Sequence, residues 1–210
     1  EELRTAGAVV TEKVGGTGVV GILENGQGPT VLVRADMDAL PLKEKSGLAY
    51  ASKVIQTDID GKKFPVMHAC GHDVNMTSLV GFARQIQKRR EDWSGTLVLI
   101  GQPAEERLGG ARKMIEDGLY QRFPRPDYAL ALHVASLMEA GKLRLEPGIT
   151  YSSSDSIDII VPGVGAHGAA PQLGKDPVVI ASQIVMALQT IVAREVSPFC
   201  LLYTSDAADE

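Results

Sequence analysis

Four residues of the sequence stand out because their side chains can bind divalent metal ions. Cys70 and His72 stand two positions apart. Glu106 follows His72 after 34 residues, and His133 follows Glu106 after 27. On an extended segment, residues two positions apart have their side chains on the same side of the backbone. A thiolate, two imidazoles and a carboxylate suit zinc or a similar borderline metal, so the pattern predicts a metal site.

Glu105 and Glu106 are adjacent carboxylates that follow an apolar run. Neighbouring side chains at a strand end are expected to point in different directions, so that one binds metal while the other faces water. A metal lowers the pKa of water and polarises a carbonyl, and a free carboxylate can pass a proton to a leaving amine. The pair therefore indicates metal-assisted hydrolysis.

Each of these residues also has a simpler interpretation when it is taken alone. His133 would be a hydrogen-bonded histidine of an apolar strand, and the two glutamates would lie on a solvated surface. Cys70 would be a small buried residue or a thiol nucleophile beside a histidine. A structural zinc site would usually need more cysteines than the two of this chain. Spacing by itself leaves these alternatives open.

The composition is that of an ordinary globular protein, with 44% hydrophobic residues, 22% charged residues and a formal net charge of -5. No apolar run reaches about 18 residues, so no membrane-spanning segment is predicted. The basic run Lys88 to Arg90 falls where a helix should end, so no nucleic-acid-binding surface is predicted. The chain opens at Glu1 without a signal peptide, which favours a cytoplasmic location and leaves open a leader ahead of Glu1.

Apolar strand-like runs alternate with helical segments in the first part of the chain. Buried strands are predicted at 19–23, 30–35, 95–101 and 128–134, helices at about 76–90 and 111–117, and a polar surface excursion at 41–66. This alternation predicts an α/β fold with a mixed, largely parallel sheet flanked by helices. Ligands of such sheets gather beyond the carboxyl ends of the strands, where Asp36, Asp38, the glutamate pair and His133 fall.

A second unit is predicted to begin near Ser152. It contains a half-buried strand at 156–161, a glycine-rich loop at 163–168 and a helix at about 178–194 that packs against a sheet. Asp176 and Pro177 form an N-cap followed by a proline at the first helical position.

Four motifs occur along the chain in a fixed order: R-A-D-M-D-A-L-P at 34–41, M-H-A-C-G-H-D at 67–73, Q-P-A-E-E at 102–106 and G-A-H-G-A-A-P at 165–171. From about residue 14 to residue 199, the chain resembles the amidohydrolase branch of the aminoacylase and metallocarboxypeptidase family. That branch contains hippurate hydrolases, N-acetyl-diaminopimelate deacetylases and indole-acetyl-amino-acid hydrolases. The resemblance implies a zinc-peptidase-like catalytic domain over 1–150, followed by the first part of a smaller α+β lid or dimerisation domain over 151–199.

The resemblance also implies a role for each chemical residue. Two divalent ions, with zinc, manganese, cobalt and nickel as candidates, would be held by Cys70, His72, Glu106 and His133. The other implied roles are those of a general base and acid for Glu105, of support for the site for Asp38 and Asp36, and of a contact to the substrate or the developing oxyanion for His167 in the lid. The substrate would be a small N-acyl amino acid, cleaved at its amide bond by a metal-activated water. The lid would mediate a homodimer.

The chain departs from the family pattern at two positions and at both ends. Asn75 and Gln172 stand where the family usually or often has histidine, and neither is counted as a ligand. The family starts ahead of Glu1 and supplies a last ligand histidine beyond Phe199, so this piece is expected to be inactive by itself. Residues 200–210 (C-L-L-Y-T-S-D-A-A-D-E) resemble a translated sequencing adapter and are predicted not to belong to the natural protein.

Two other functions remain as alternatives. An exopeptidase or dipeptidase of the same family would cleave dipeptides, but the peptidase branches tend to have aspartate where this chain has Cys70. A non-catalytic binding module on the same scaffold would need no general base, whereas this chain keeps both Glu105 and Glu106. The amidohydrolase is therefore the leading hypothesis.

Overall fold

The structure is a computed structural model of the 210-residue chain. It describes residues 1–58, 60–145, 147–148 and 157–195. Internal contacts divide the chain into two units, residues 1–140 and residues 141–210, and each unit is described by itself. The prediction for residues 200–210 lies outside the described residues.

The first unit supplies the sheet and the helices that cover it. Its strands are β1 (Val9–Val14), β2 (Gly18–Asn25), β3 (Thr30–Asp36), β4 (Ile55–Thr57), β5 (Lys63–Pro65), β6 (Gly95–Gln102) and β7 (Tyr128–Ala131). Its helices are α1 (Glu2–Thr5), α2 (His72–Lys88), α3 (Gly110–Glu116) and α4 (Leu119–Arg122), with a 3-10 turn at Arg90–Asp92.

Five of these strands form one sheet in the order β1-β2-β6-β3-β7. Strand β2 is antiparallel to both of its neighbours, whereas β3 is parallel to β6 and to β7. Four of the five strands therefore point in the same direction, and the predicted mixed, largely parallel α/β sheet is confirmed. Strands β4 and β5 form a separate hairpin within the polar excursion.

Helices pack on both faces of the central strands. Leu99 of β6 belongs to a buried cluster with Ala83 of α2. The next position towards the start of β6, Val98, belongs to a second cluster with Met114 of α3. Side chains alternate between the two faces of a strand, so burial on both faces requires a continuous apolar run such as that of β6. The two layers of helices fix the position of the strand ends that carry the polar motifs.

The prediction of a buried strand at 128–134 was wrong in its end and in its burial, and one strand of this unit was not predicted. Strand β7 ends at Ala131, so His133 lies beyond the strand rather than within it. The residues of β7 are also exposed rather than buried, because β7 pairs only with β3 among the described residues. Strand β1 was not predicted, because its sequence V-V-T-E-K-V is neither a continuous apolar run nor an alternation of apolar and polar residues.

The described part of the second unit contains α5 (Pro177–Thr190), a π-helical turn at Ile191–Glu195 and a 3-10 turn at Pro171–Leu173. The carboxylate of Asp176 accepts hydrogen bonds from two backbone amides of the first turn, so the predicted N-cap is confirmed. Residues 157–161 form no strand, since no neighbouring strand is present in this described part to pair with them. No residue of α5 is buried, which differs from the expected packing on a sheet. Among the helices of the described ranges, none is long and apolar enough to cross a membrane.

Candidate metal centre

The motif residues of the first unit meet at the carboxyl edge of the central strands. Asp36, the last residue of β3, pairs with Gln102, the last residue of β6. Asp38 follows β3 directly, and a turn containing Glu105 follows β6. Helix α2 begins at His72 next to these strand ends. The parallel strands β3 and β6 therefore place carboxylates from two distant parts of the chain next to the first turn of α2.

His72 lies at the centre of this group and is 0% exposed. Its Nδ1 is 2.9 Å from the carbonyl oxygen of Asp38. A carbonyl oxygen can only accept, so Nδ1 carries the proton and donates. Nε2 therefore presents a lone pair, and within the described residues it has no hydrogen-bond partner. A histidine whose Nδ1–H is held by a backbone carbonyl has the arrangement that metal-binding histidines use.

Three carboxylates face this unpartnered nitrogen. The distances from His72 Nε2 are 3.8 Å to Asp36 Oδ2, 3.9 Å to Glu105 Oε2 and 3.8 Å to Glu106 Oε1. These distances exceed hydrogen-bonding range, but a metal ion with bonds of about 2.0–2.2 Å can bridge them. Carboxylates around a neutral imidazole repel one another, and a divalent cation compensates that repulsion. The donor set therefore fits a metal ion.

The prediction that Glu105 and Glu106 point in different directions was wrong, since both approach His72 Nε2. The two residues lie in a turn rather than in an extended strand. Ala104 and Leu108 flank them with positive φ angles of 48° and 51°. The backbone amide of Glu106 also donates to Asp38 Oδ2 at 3.0 Å, which ties the turn to the end of β3. In a turn of this kind, consecutive side chains do not alternate.

Cys70 and His133 complete the group from two further segments. Cys70 Sγ lies 3.5 Å from His133 Nε2. Cys70, His72 and His133 each offer one ligand atom, and these three atoms lie within 4.8 Å of one another. Ligand atoms of a tetrahedral zinc ion are about 3.3–3.8 Å apart, given bonds of about 2.0–2.3 Å. The structure thus brings together all four residues that were predicted to hold the metals.

Gly71 allows the segment of Cys70 and the segment of His133 to approach each other. Its φ is 75°, in the left-handed region that favours glycine. A Cβ at this position would lie only 2.4 Å from Cγ2 of Val134, the neighbour of His133. Any larger residue at Gly71 would therefore push the two ligand-bearing segments apart.

The thiol of Cys70 is strongly affected by its surroundings. Burial and the neighbouring carboxylates of Glu106, Glu105 and Asp36 raise the pKa of Cys70 to about 11. Without a cation the thiol is protonated at neutral pH, and a protonated thiol is a poor nucleophile. This argues against the alternative in which Cys70 attacks the substrate. A bound cation would displace the proton and hold the thiolate.

The sequence predicted only a supporting role for Asp36 and no role for Asn75. Asp36 is 1% exposed, and the side-chain amide of Asn75 donates to its Oδ1 at 2.6 Å. Asn75 stands three positions after His72 in α2, so both side chains share one helix face. That spacing was the signal from which the contact could have been predicted.

His167 belongs to the second unit, where it is exposed and its Nδ1 accepts a hydrogen bond of 3.1 Å from the backbone amide of Ala169. Its role towards the substrate stays a prediction.

Comparison with known proteins identifies the family. Residues 32–208 match the sequence profile of peptidase family M20/M25/M40. The chain belongs to this family. A hippurate hydrolase from Campylobacter jejuni is 45% identical over 199 residues, which cover 94% of this chain and 49% of that protein. Thermostable carboxypeptidase 2 from Saccharolobus solfataricus is 42% identical over 202 residues, covering 94% of this chain and 48% of that protein.

A solved structure supports the same assignment. The crystal structure of an aminohydrolase from methicillin-resistant Staphylococcus aureus matches with a TM-score of 0.71 at 34% identity, covering 94% of this chain and 50% of that one. The predicted zinc-peptidase-like fold and the predicted amidohydrolase branch of this hydrolase family are thereby confirmed. The M20 chain spans about half the length of the curated relatives it matches.

Proposed function

We propose that the full-length protein is a dinuclear metal-dependent amidohydrolase that cleaves the amide bond of N-acyl amino acids. The observation that carries this proposal is the buried His72 Nε2, which faces three carboxylates and has no hydrogen-bond partner among the described residues. The similarity to a hippurate hydrolase supports an N-acyl amino acid as the substrate class. A small substrate, a cytoplasmic location and a homodimer formed through the lid belong to the same proposal.

Two divalent ions would be held by Cys70, His72, Glu106 and His133. Sulfur, nitrogen and oxygen donors together suit zinc, and manganese, cobalt and nickel are the other candidates. When bound, such ions polarise an amide carbonyl and lower the pKa of water. The protein's own contribution is to orient these donors, which Asp38 does through two contacts. Its carbonyl fixes the ring of His72, and its carboxylate fixes the backbone of Glu106.

Glu105 would take a proton from the attacking water and pass it to the leaving amine. Distance alone does not separate the two glutamates, because Glu105 also lies within 4.8 Å of His72 and Asp36 in ligand-atom spacing. Accessibility and charge support the division of roles. The side chain of Glu105 is 36% exposed and that of Glu106 is 26% exposed. Among the carboxylates, Glu106 has the largest effect on the pKa of Cys70, which supports its place beside the thiol ligand.

Hydrolysis assays on the full-length protein test this proposal. Purified, zinc-loaded protein would be given N-benzoyl and N-acetyl amino acids and, separately, unblocked dipeptides, with release of the free amino acid as the readout. We expect turnover of the N-acyl amino acids. In Glu105→Gln, turnover should fall by about 10²-fold or more, the usual scale of general acid–base help, while metal content is unchanged. Glu116→Gln, which changes an exposed carboxylate of α3, is the matched control and should keep full activity.

The same assay separates the alternatives. Cleavage of dipeptides without cleavage of N-acyl amino acids would establish the exopeptidase. The similarity to a carboxypeptidase supports this alternative. Zinc-loaded protein that cleaves neither substrate class would establish the binding module. Either result would refute the amidohydrolase proposal.

A further inference from the structure

A buried polar contact joins the end of β3 to the first turns of α2. The side-chain amide nitrogen of Asn75 donates to Asp36 Oδ1 at 2.6 Å, and the two residues are 3% and 1% exposed. The other carboxylate oxygen, Asp36 Oδ2, lies 3.4 Å from a guanidinium nitrogen of Arg34 and 3.8 Å from Nε2 of His72. One oxygen of Asp36 is therefore held by the helix, and the other faces the candidate metal centre.

The carboxylate dictates which way the amide of Asn75 points. If the amide were reversed, its oxygen would meet the carboxylate oxygen at 2.6 Å, and two acceptors repel at that distance. In the observed orientation, Oδ1 of Asn75 is buried and has no hydrogen-bond partner among the described residues. Leaving a buried acceptor without a partner costs free energy. The orientation of the amide is therefore set by its contact with Asp36 Oδ1 and not by a partner for Asn75 Oδ1 in the described part of the chain.

We propose that Asn75 is a positioning residue of the metal centre that acts through Asp36. By occupying Oδ1 with a charge-assisted hydrogen bond, it directs Oδ2 towards His72 Nε2. His72 Nε2 lies 3.8 Å from Asp36 Oδ2 and 3.9 Å from Glu105 Oε2, and the three residues form a cluster whose ligand atoms lie within 4.8 Å of one another. Asp36 thereby places a buried carboxylate on the side of the candidate metal centre that faces His72 Nε2. This inference rests on the metal centre of the proposed function, although it does not depend on the substrate.

Three variants of the full-length protein distinguish this positioning role from a purely structural role in holding α2 against the sheet. Asn75→Leu removes the hydrogen bond at nearly constant volume. Asn75→His supplies another N–H donor to Asp36 at the same position. The exchanged pair, Asp36→Asn together with Asn75→Asp, keeps one amide and one carboxylate in contact. In that pair the charge moves to the helix, away from its place beside His72 Nε2.

The measurements are zinc affinity by competition with a chromophoric chelator, the visible spectrum of the cobalt-substituted protein, and thermal unfolding of the metal-free protein. We expect zinc affinity to fall by about 10–100-fold in Asn75→Leu, the range found when outer partners of metal ligands are changed. The exchanged pair should lose affinity to a similar degree while its metal-free form unfolds near the wild-type temperature. Asn75→His should keep wild-type affinity and the wild-type cobalt spectrum.

Wild-type zinc affinity and an unchanged cobalt spectrum in the exchanged pair would overturn the inference, because that variant retains the contact and relocates the charge. Loss of affinity in Asn75→His equal to that in Asn75→Leu would overturn it as well. A wild-type protein that binds no zinc would refute both this inference and the proposed metal centre. If zinc binding responds as expected but no N-acyl amino acid is cleaved, the inference stands and the proposed function fails.

Discussion

Cys70 gives the candidate metal centre a measurable pH signature. Burial and the carboxylates of Glu106, Glu105 and Asp36 raise the pKa of the Cys70 thiol to about 11. At pH 8.5, only about one thiol in 300 is therefore ionised in the metal-free protein. A metal binds the thiolate, so binding must displace the proton. We predict that zinc binding at pH 8.5 releases about one proton from Cys70.

The direction of the pH dependence follows from the raised pKa. The proton is present in the metal-free protein and absent in the complex, so each unit of rising pH makes its removal easier by about 1.4 kcal/mol. The Cys70 contribution to the apparent zinc association constant should rise about tenfold per pH unit from pH 8 to pH 10 and level off above pH 11. Compared with a thiol at its ordinary pKa of 9.0, the raised pKa weakens zinc binding at pH 8.5 by roughly 10²-fold.

Calorimetric titration of the full-length metal-free protein with zinc tests this prediction. Titrations at pH 8.5 in two buffers with different ionisation enthalpies give the number of protons released. The matched variant is Cys70→Asp, whose carboxylate has an ordinary pKa of about 3.9 and is already ionised. Protons released elsewhere cancel in the comparison, so wild type should release about one proton more than the variant. Equal proton release, or affinity that is flat from pH 8 to pH 10, would show that Cys70 is not a ligand.

Three further predictions concern the metal ligand, the turn and the second unit. Glu106→Gln should lower zinc occupancy measured by elemental analysis, and full occupancy would remove Glu106 from the ligands. Gly110→Ala should lower both the thermal unfolding temperature and zinc affinity, because its Cβ would lie 1.5 Å from the carbonyl oxygen of Pro103 and displace the glutamate turn. The control Gly81→Ala, with no heavy atom within 4 Å of the new Cβ, should be neutral or stabilising by up to about 1 kcal/mol, and an equal loss in both variants would contradict the steric argument. Asp176→Ala should destabilise the start of α5 by about 1 kcal/mol, seen as faster amide hydrogen exchange in its first turn, whereas Asp176→Asn should not.

The strands that could be predicted are those with an apolar run. Strand β6 is buried along nearly its whole length, because helices cover both of its faces. Strand β3 is only partly buried at most positions, but its run from Val31 to Val33 is apolar. Strand β1 gave no such signal, since most of its residues are partly or fully exposed. The strand predicted at 156–161 is the opposite case, in which a sequence pattern is present but no strand forms over its described residues. A strand forms only when another strand pairs with it. A local pattern does not contain that information.

The candidate site was predictable where a motif is local and was mispredicted where the backbone is unusual. Cys70 and His72 converge as predicted, but the prediction assumed an extended segment, whereas Cys70 lies in a turn and Gly71 after it has a φ of 75°. The directions of Glu105 and Glu106 depend on the positive φ of Ala104. Glycine or asparagine would have indicated a positive φ at this position, but the residue is alanine. An alanine in the left-handed region is held there by its surroundings, here by amides of residues 109 and 110 that donate to its carbonyl oxygen.

The spacing of the carboxylates around His72 Nε2 suits a metal ion better than direct contact. The nearest carboxylate oxygens are 3.8–3.9 Å from Nε2, beyond hydrogen-bonding range. The same spacing can be bridged by an ion with bonds of about 2.0–2.2 Å. The ligand atoms of Asp36 and Glu105 lie within 4.8 Å of each other, and like charges at this spacing repel. Strand β6 holds Asp36 in place through its pairing with Gln102, whereas Glu105 and Glu106 lie in a turn. Removal of metal should therefore loosen that turn before it affects the sheet.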